Sequence, residues 1–311
     1  MTKFIPSVLT AAVFVALSVS CSNDDDVIKL AGNTQAASVE GEVLYSKAKA
    51  ADEAGKSSSA IKQYGKMADK YPFASSAAQA RFRQAELLEQ KGDIQKSFDA
   101  YQKFLKRYQS SGLYAKALER QARMAQSAAD GDVRSSFVGL KTRLSIEKTV
   151  GMLAAVRDNA PRSETSAKAQ FTIGELYQGK KDSKDAIEAF RKLVSDQPES
   201  SYAPEALFRV GVVLMEEADR GNRNQATLEL SREAFSDYLL QYPGHSKNAE
   251  ARRMSGDIGG REINRSLEIA EFYDQSGQTE SAKIYYREVL QRAGSGDAHD
   301  KAKSRLKALG E

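Results

Sequence analysis

The chain has no tryptophan, one cysteine, two histidines and six prolines in 311 residues. A lone cysteine excludes an internal disulfide framework and any cysteine-rich metal site. His245 and His299 have no histidine or cysteine partner at ligand spacing, so neither a metal site nor a catalytic constellation is expected. Both histidines read as surface residues near turns. The excess of one charge sign is small as well: 46 basic against 42 acidic residues gives +4. These charges are interspersed along the chain, so they read as solvated helix faces and give no reason to expect nucleic acid. Gly259-Gly260 and Gly294-Ser295-Gly296 follow no strand of a βαβ unit and make no phosphate loop. The chain is therefore expected not to be an enzyme, and no cofactor is implied.

What the sequence does contain is a repeat. Leu44-Tyr45, Ala48, Gly55, Ala60-Ile61, Tyr64, Met67 and Tyr71-Pro72 form one unit. The same kinds of residue return 37 positions on, with Phe82 for Tyr45, Ala85 for Ala48, Gly92 for Gly55, Ser97 for Ala60, Tyr101 for Tyr64 and Phe104 for Met67. Within each unit apolar residues recur at the spacing of one buried helix face. Gly55 and Gly92 suit the left-handed end of a first helix, and Pro72 closes the unit. The spacing predicts helices over 40–55, 57–71, 75–91 and 93–108, with Asp93 capping the last.

Later units follow the same plan with insertions. A helix over 114–129 is separated by about fifteen residues, 130–144, from its partner over 146–159. That insertion is either a contact loop or spare length. The fourth unit is the clearest, with Ile173-Gly174, Tyr177, Ala186, Phe190, Leu193 and Pro198 at the signature positions. In the fifth, Phe208, Val210-Gly211 and Leu214 face Phe235, Tyr238 and Tyr242-Pro243, and both helices are lengthened around Gly221-Asn222. One long helix is expected from Lys247 to Asp274, with a bend or a break at Gly259-Gly260, then helices over 279–292 and 299–309. A period in the thirties with this signature resembles the tetratricopeptide repeat. The expected fold is all-α, a right-handed superhelix (α-solenoid) of about five to six helical hairpins.

Met1 to Ser20 reads as a signal peptide: Lys3 precedes an uncharged apolar run over 8–19, too short for a span of ~20 residues. Cys21 follows directly and resembles the lipidated cysteine of a bacterial lipobox, the alternative being an ordinary secretory signal with a chance cysteine. Ser22 rather than aspartate after Cys21 points to the outer membrane. Residues 21–38 are expected to be a disordered tether and 39–311 the repeat domain.

The first two repeats resemble the outer-membrane-assembly lipoprotein BamD. They carry Leu44-Tyr45-x-x-Ala48, Gly55, Ala60-Ile61-x-x-Tyr64 and Tyr71-Pro72-Phe73, with Ala77, Ala80, Gly92-Asp93, Phe104 and Tyr108 following. The resemblance implies a lipid-anchored, periplasm-facing scaffold without enzymatic activity. Its implied partners are the core subunit of the β-barrel assembly machinery or unfolded outer-membrane proteins. Other envelope scaffolds, serving peptidoglycan and division or polysaccharide export, share the repeat signature. Tyr45, Phe82, Phe171 and Phe208 recur at one position of four first helices. They read either as core rings or as the floor of a groove for an extended peptide, flanked by Arg83, Glu86, Glu175 and Arg209.

Overall fold

The computed structural model describes residues 34–137, 140–220 and 225–311. The signal peptide, Cys21, the first part of the tether and Gly221-Asn222 lie outside them. Contacts divide the chain into two compact units, 1–80 and 81–311, with the boundary inside one helix. A single repeat domain over 39–311 was expected from the sequence.

Unit 1 holds α1 (Thr34–Glu53), α2 (Ser57–Lys70) and the start of α3 (Ala77–Gln90). Residues 34–38 are helical rather than part of a tether. Ala36 and Ala37 are strong helix formers, and extending an existing helix avoids the cost of nucleation. Gly55 ends α1 with φ of +71°, the left-handed conformation that favours glycine. Ala48, Ala60, Tyr64 and Met67 form the buried seam between α1 and α2. Gly41 lies where α1 passes closest to the Tyr71–Ala74 corner, since a Cβ there would stand 3.0 Å from the side chains of both.

Unit 2 continues with α4 (Ile94–Arg107), α5 (Tyr114–Ala129), α6 (Ile146–Asn159), α7 (Glu164–Gly179) and α8 (Ser183–Asp196). It ends with α9 (Ala203–Arg220), α10 (Gln225–Gln241), α11 (Asn248–Gln275), α12 (Thr279–Arg292) and α13 (Asp297–Ala308). From α4 onward each helix packs on the next, and α5 also meets α7, α7 meets α9 and α11 meets α13. Such neighbour-only packing defines a helical solenoid. Asp93, Ser145, Ser163 and Asp182 cap α4, α6, α7 and α8 by accepting a backbone N–H three residues on.

Two details depart from a uniform row of hairpins. The insertion after α5 forms a small antiparallel hairpin, β1 (Arg134–Phe137) and β2 (Leu140–Arg143), paired from Arg134 opposite Arg143 to Phe137 opposite Leu140. The helical repeat resumes behind it unchanged. In the last repeat, α11 runs 28 residues without a break at Gly259-Gly260. Glycine costs about 1 kcal/mol at each such position. Burial of Ala251 and Ile258 ahead, and of Glu262, Ser266 and Ala270 behind, holds both halves in one helix.

In the fourth and fifth repeats glycine is required by contact. A Cβ on Gly174 would stand 2.5 Å from the Phe190 ring, and one on Gly211 would stand 2.6 Å from Phe235. Gly256 and Gly260 face open space. We predict that Gly174→Ala and Gly211→Ala each cost about 1–3 kcal/mol through overpacking. Gly256→Ala and Gly260→Ala gain about 0.5–1 kcal/mol from helix propensity. Shifts of the urea midpoint in opposite directions are the measurement.

Candidate protein-binding face

The aromatic stripe belongs to the core. Phe82, Phe171 and Phe208 are at most 8% exposed. Phe82 meets Tyr101 at 5.5 Å and Phe104 at 5.6 Å between ring centroids. Phe171 meets Phe190 and Tyr202 at 5.5 and 5.6 Å, and Phe208 meets Phe235 and Tyr238 at 5.6 Å each. Tyr45, half-buried, meets Tyr64 at 5.8 Å and donates its hydroxyl to Gln79 at 3.3 Å. The expectation of a groove floored by these four rings is corrected on that ground. A ring already packed between two helices has no free face to offer a peptide, and pairs of this geometry add about 0.5–1.5 kcal/mol each to the hairpin.

The flanking charges are where the first-helix face of unit 2 meets solvent, and they are linked from repeat to repeat. Glu86 on α3 pairs with Arg83 at 3.2 Å, Arg120 at 3.4 Å and Lys116 at 3.5 Å, the last two from α5. Lys116 also stands over the Phe82 ring at 5.3 Å. Further along, Arg209 pairs with Glu205 at 2.9 Å and Glu175 at 3.8 Å, and donates to Gln178 at 3.2 Å. Lys247 then joins Glu205 at 3.2 Å and stands 4.7 Å over Phe208. Partial burial raises the Glu175 carboxyl above its ordinary value, with Arg209 pulling it back. So Arg83 and Glu86 sit in one cluster that bridges two repeats, and Glu175 and Arg209 in another that reaches across three through Lys247.

Two features escape the sequence pattern. The first is a three-residue clamp in which an acid accepts from a tyrosine 12 residues on and an arginine 31 residues on. Glu89 takes Tyr101 at 3.3 Å and Arg120 at 2.7 Å; Asp274 takes Tyr286 at 3.0 Å and Arg305 at 2.8 Å. Burial first, then the neighbouring carboxylate, raises both tyrosine hydroxyls above their ordinary value. The equal spacings were the available signal. The second is an amide cluster in the third repeat, where fully buried Gln121 donates to Gln102 at 2.5 Å and accepts from Asn159 at 2.8 Å. Its signal is an amide at a position where the helix period calls for an apolar residue.

Histidines are engaged structurally. His245 Nδ1 shares a proton with the Tyr238 hydroxyl at 2.7 Å, and His299 lies 3.1 Å from Asp300.

Carboxylates also tie successive repeats together near the helix starts. Glu42 accepts from the Ser75 and Ser76 hydroxyls and the Ser76 N–H at 2.6–3.0 Å. Glu164 does the same for Ser200 and Ser201 at 2.9–3.2 Å. Both carboxyls are held below their ordinary value, Glu42 chiefly by the Ser76 hydroxyl and Glu164 chiefly by the Ser201 N–H. A lowered folded value means stability that is present above the unfolded carboxyl range of about 4.3 and lost as pH falls through the folded one. The melting temperature should therefore drop below about pH 4.5. Glu42→Gln and Glu164→Gln should lower it at pH 7 and flatten that acid limb, as followed by circular dichroism.

Two tetratricopeptide-repeat families match the chain, one over residues 79–111 and 168–200, the other over 266–295. These segments cover the second, fourth and last repeats described above. No curated protein matches it. Among solved structures, the P58(IPK) tetratricopeptide domain is 16% identical, covering 86% of this chain and 77% of its own, with a TM-score of 0.36. The C-terminal part of a tetratricopeptide protein from Cytophaga hutchinsonii is 14% identical over 86% and 94%, with a TM-score of 0.35. A tetratricopeptide protein from Parabacteroides merdae is 15% identical over 90% and 100%, with a TM-score of 0.28. Superpositions this partial carry no argument, so the fold rests on the helix order and the matched repeats.

Proposed function

We propose that this tetratricopeptide-repeat chain, a protein-interaction scaffold by its repeats, acts as a BamD-like lipoprotein in the assembly of outer-membrane β-barrels. In this reading Cys21 carries the lipid, the repeats face the periplasm, and the bound proteins are the barrel-forming core subunit or unfolded outer-membrane segments. The scaffold has no catalytic role.

One observation carries the reading beyond the repeat itself. In the Tyr71-Pro72-Phe73 corner of unit 1, Tyr71 is buried and donates its hydroxyl to Glu40 at 2.5 Å, while Phe73 is 73% exposed. The corner is thus fixed from behind and presents one large apolar ring to solvent. A rigidly mounted exposed aromatic is the kind of residue that anchors an interface, because its ordering cost is already met in the free protein.

Affinity purification from detergent-solubilised envelopes tests the partner. Co-purification of a large β-barrel protein supports the proposal; recovery of peptidoglycan or export enzymes in its place overturns it. We predict that Phe73→Ala weakens that capture about tenfold or more, as expected for an interface anchor. The urea midpoint should be unchanged. Separately, Cys21→Ala should move the protein into the soluble periplasmic fraction, and unchanged membrane retention would refute lipidation.

A further inference from the structure

The outward face of α1 is bare at positions that later repeats bury. Val43 stands two residues before Tyr45, as Ala169 stands before Phe171 and Ala206 before Phe208. Val43 is 50% exposed, whereas Ala169 and Ala206 are 4% and 0% exposed. In those later repeats the preceding second helix packs on the first, α6 on α7 and α8 on α9. Among the described residues no helix precedes α1. One turn earlier Val39 is 62% exposed, and a shallow groove runs along Ser38, Val39, Glu42, Val43, Ser46, Lys47 and Ala50.

The spacing along that groove says what fits it. Val39, Val43, Ser46 and Ala50 step by four, three and four residues, the d-a-d-a seam of a coiled coil. Glu42 then falls at g and Lys47 at e, five residues on, which is the relation that pairs opposite charges between parallel helices. An antiparallel partner copy would set g against g, placing Glu42 against its own equivalent. Glu42 accepts three hydrogen bonds from Ser75 and Ser76, two on Oε1 and one on Oε2, which leaves one acceptor site on Oε2 for a lysine.

We propose that α1 is a self-association surface, on which a second copy of this chain docks in parallel, Val43 against Val43 and Glu42 against Lys47 of the other copy. The seam is only about two heptads long, so the contact falls below the ~1,200 Å² of a stable interface and the dimer is weak. It forms at high local concentration. The proposal stands on α1 alone and does not depend on what the scaffold binds elsewhere.

Sedimentation velocity of the chain carrying Cys21→Ser tests it, from about 1 to 500 µM, a range suited to weak interfaces. The weight-average mass should climb toward twice the monomer. Lys47→Glu should weaken association about tenfold, with much of the loss recovered in high salt, because two exposed pairs become repulsive. Its far-UV spectrum should be unchanged, since Lys47 points to solvent. In the same background Val43→Cys should form a disulfide-linked dimer on oxidation, while Lys62→Cys on α2 should not. A monomer at every concentration, whether because another part of the chain or a foreign helix covers the groove, overturns the proposal. So does cross-linking at Val43 no better than at Lys62.

Discussion

A single helical hairpin of this size cannot hide its own apolar face, and the structure depends on how each repeat solves that shortage. In four repeats the solution is a pair of rings meeting between the first and second helix, 5.8 Å apart for Tyr45 with Tyr64, 5.5 Å for Phe82 with Tyr101 and for Phe171 with Phe190, and 5.6 Å for Phe208 with Phe235. Burying one such ring contributes roughly 1.5–3 kcal/mol, a large part of what a repeat can gather.

The slot facing the second-helix ring takes two forms. Where it is glycine, at 174 and 211, the ring is phenylalanine and lies directly against the backbone. Where it is alanine, at 48, 85 and 270, the ring is tyrosine, at 64, 101 and 286, and carries a hydroxyl that must be satisfied. An acid twelve residues earlier supplies the acceptor, at 3.5, 3.3 and 3.0 Å for Asp52, Glu89 and Asp274. In the fourth repeat, whose ring is Phe190, the corresponding residue is the neutral Gln178. Gln178 still accepts from an arginine 31 residues on, Arg209, so the link to the following repeat survives the loss of the acid. One buried atom, the tyrosine oxygen, thereby decides the chemistry of a residue on another helix.

The elements set by local rules were legible in the sequence: α5, α6 and α12 fall on the residues expected of them, and Gly55 and Gly92 adopt positive φ as helix stops. What was not legible came from interactions between units of sequence far apart. Periodicity places Phe82, Phe171 and Phe208 on a face but cannot tell a face turned to a groove from one turned to a neighbouring helix, because both are apolar. The amide cluster of Gln102, Gln121 and Asn159 was hidden for the opposite reason. Its members look like surface residues until three helices bring them within 2.5–3.2 Å of one another. The hairpin of β1 and β2 arises where the helical period lapses, and its short strands leave little alternation to read.

Consumption of the rings by the core limits how this scaffold can recognise anything. With the aromatic positions spent, what the first-helix face of unit 2 offers is charge, gathered in clusters that link one repeat to the next. Around α3 and α5, Arg83, Lys116 and Arg120 share the carboxylates of Glu86 and Glu89. Around α9 and the start of α11, Arg209 and Lys247 pair with Glu175, Glu205 and Glu250. The large apolar side chains that the fold leaves uncovered in unit 1 are Val39, Val43 and Phe73, and burial of apolar side chains is what contributes most to a tight contact.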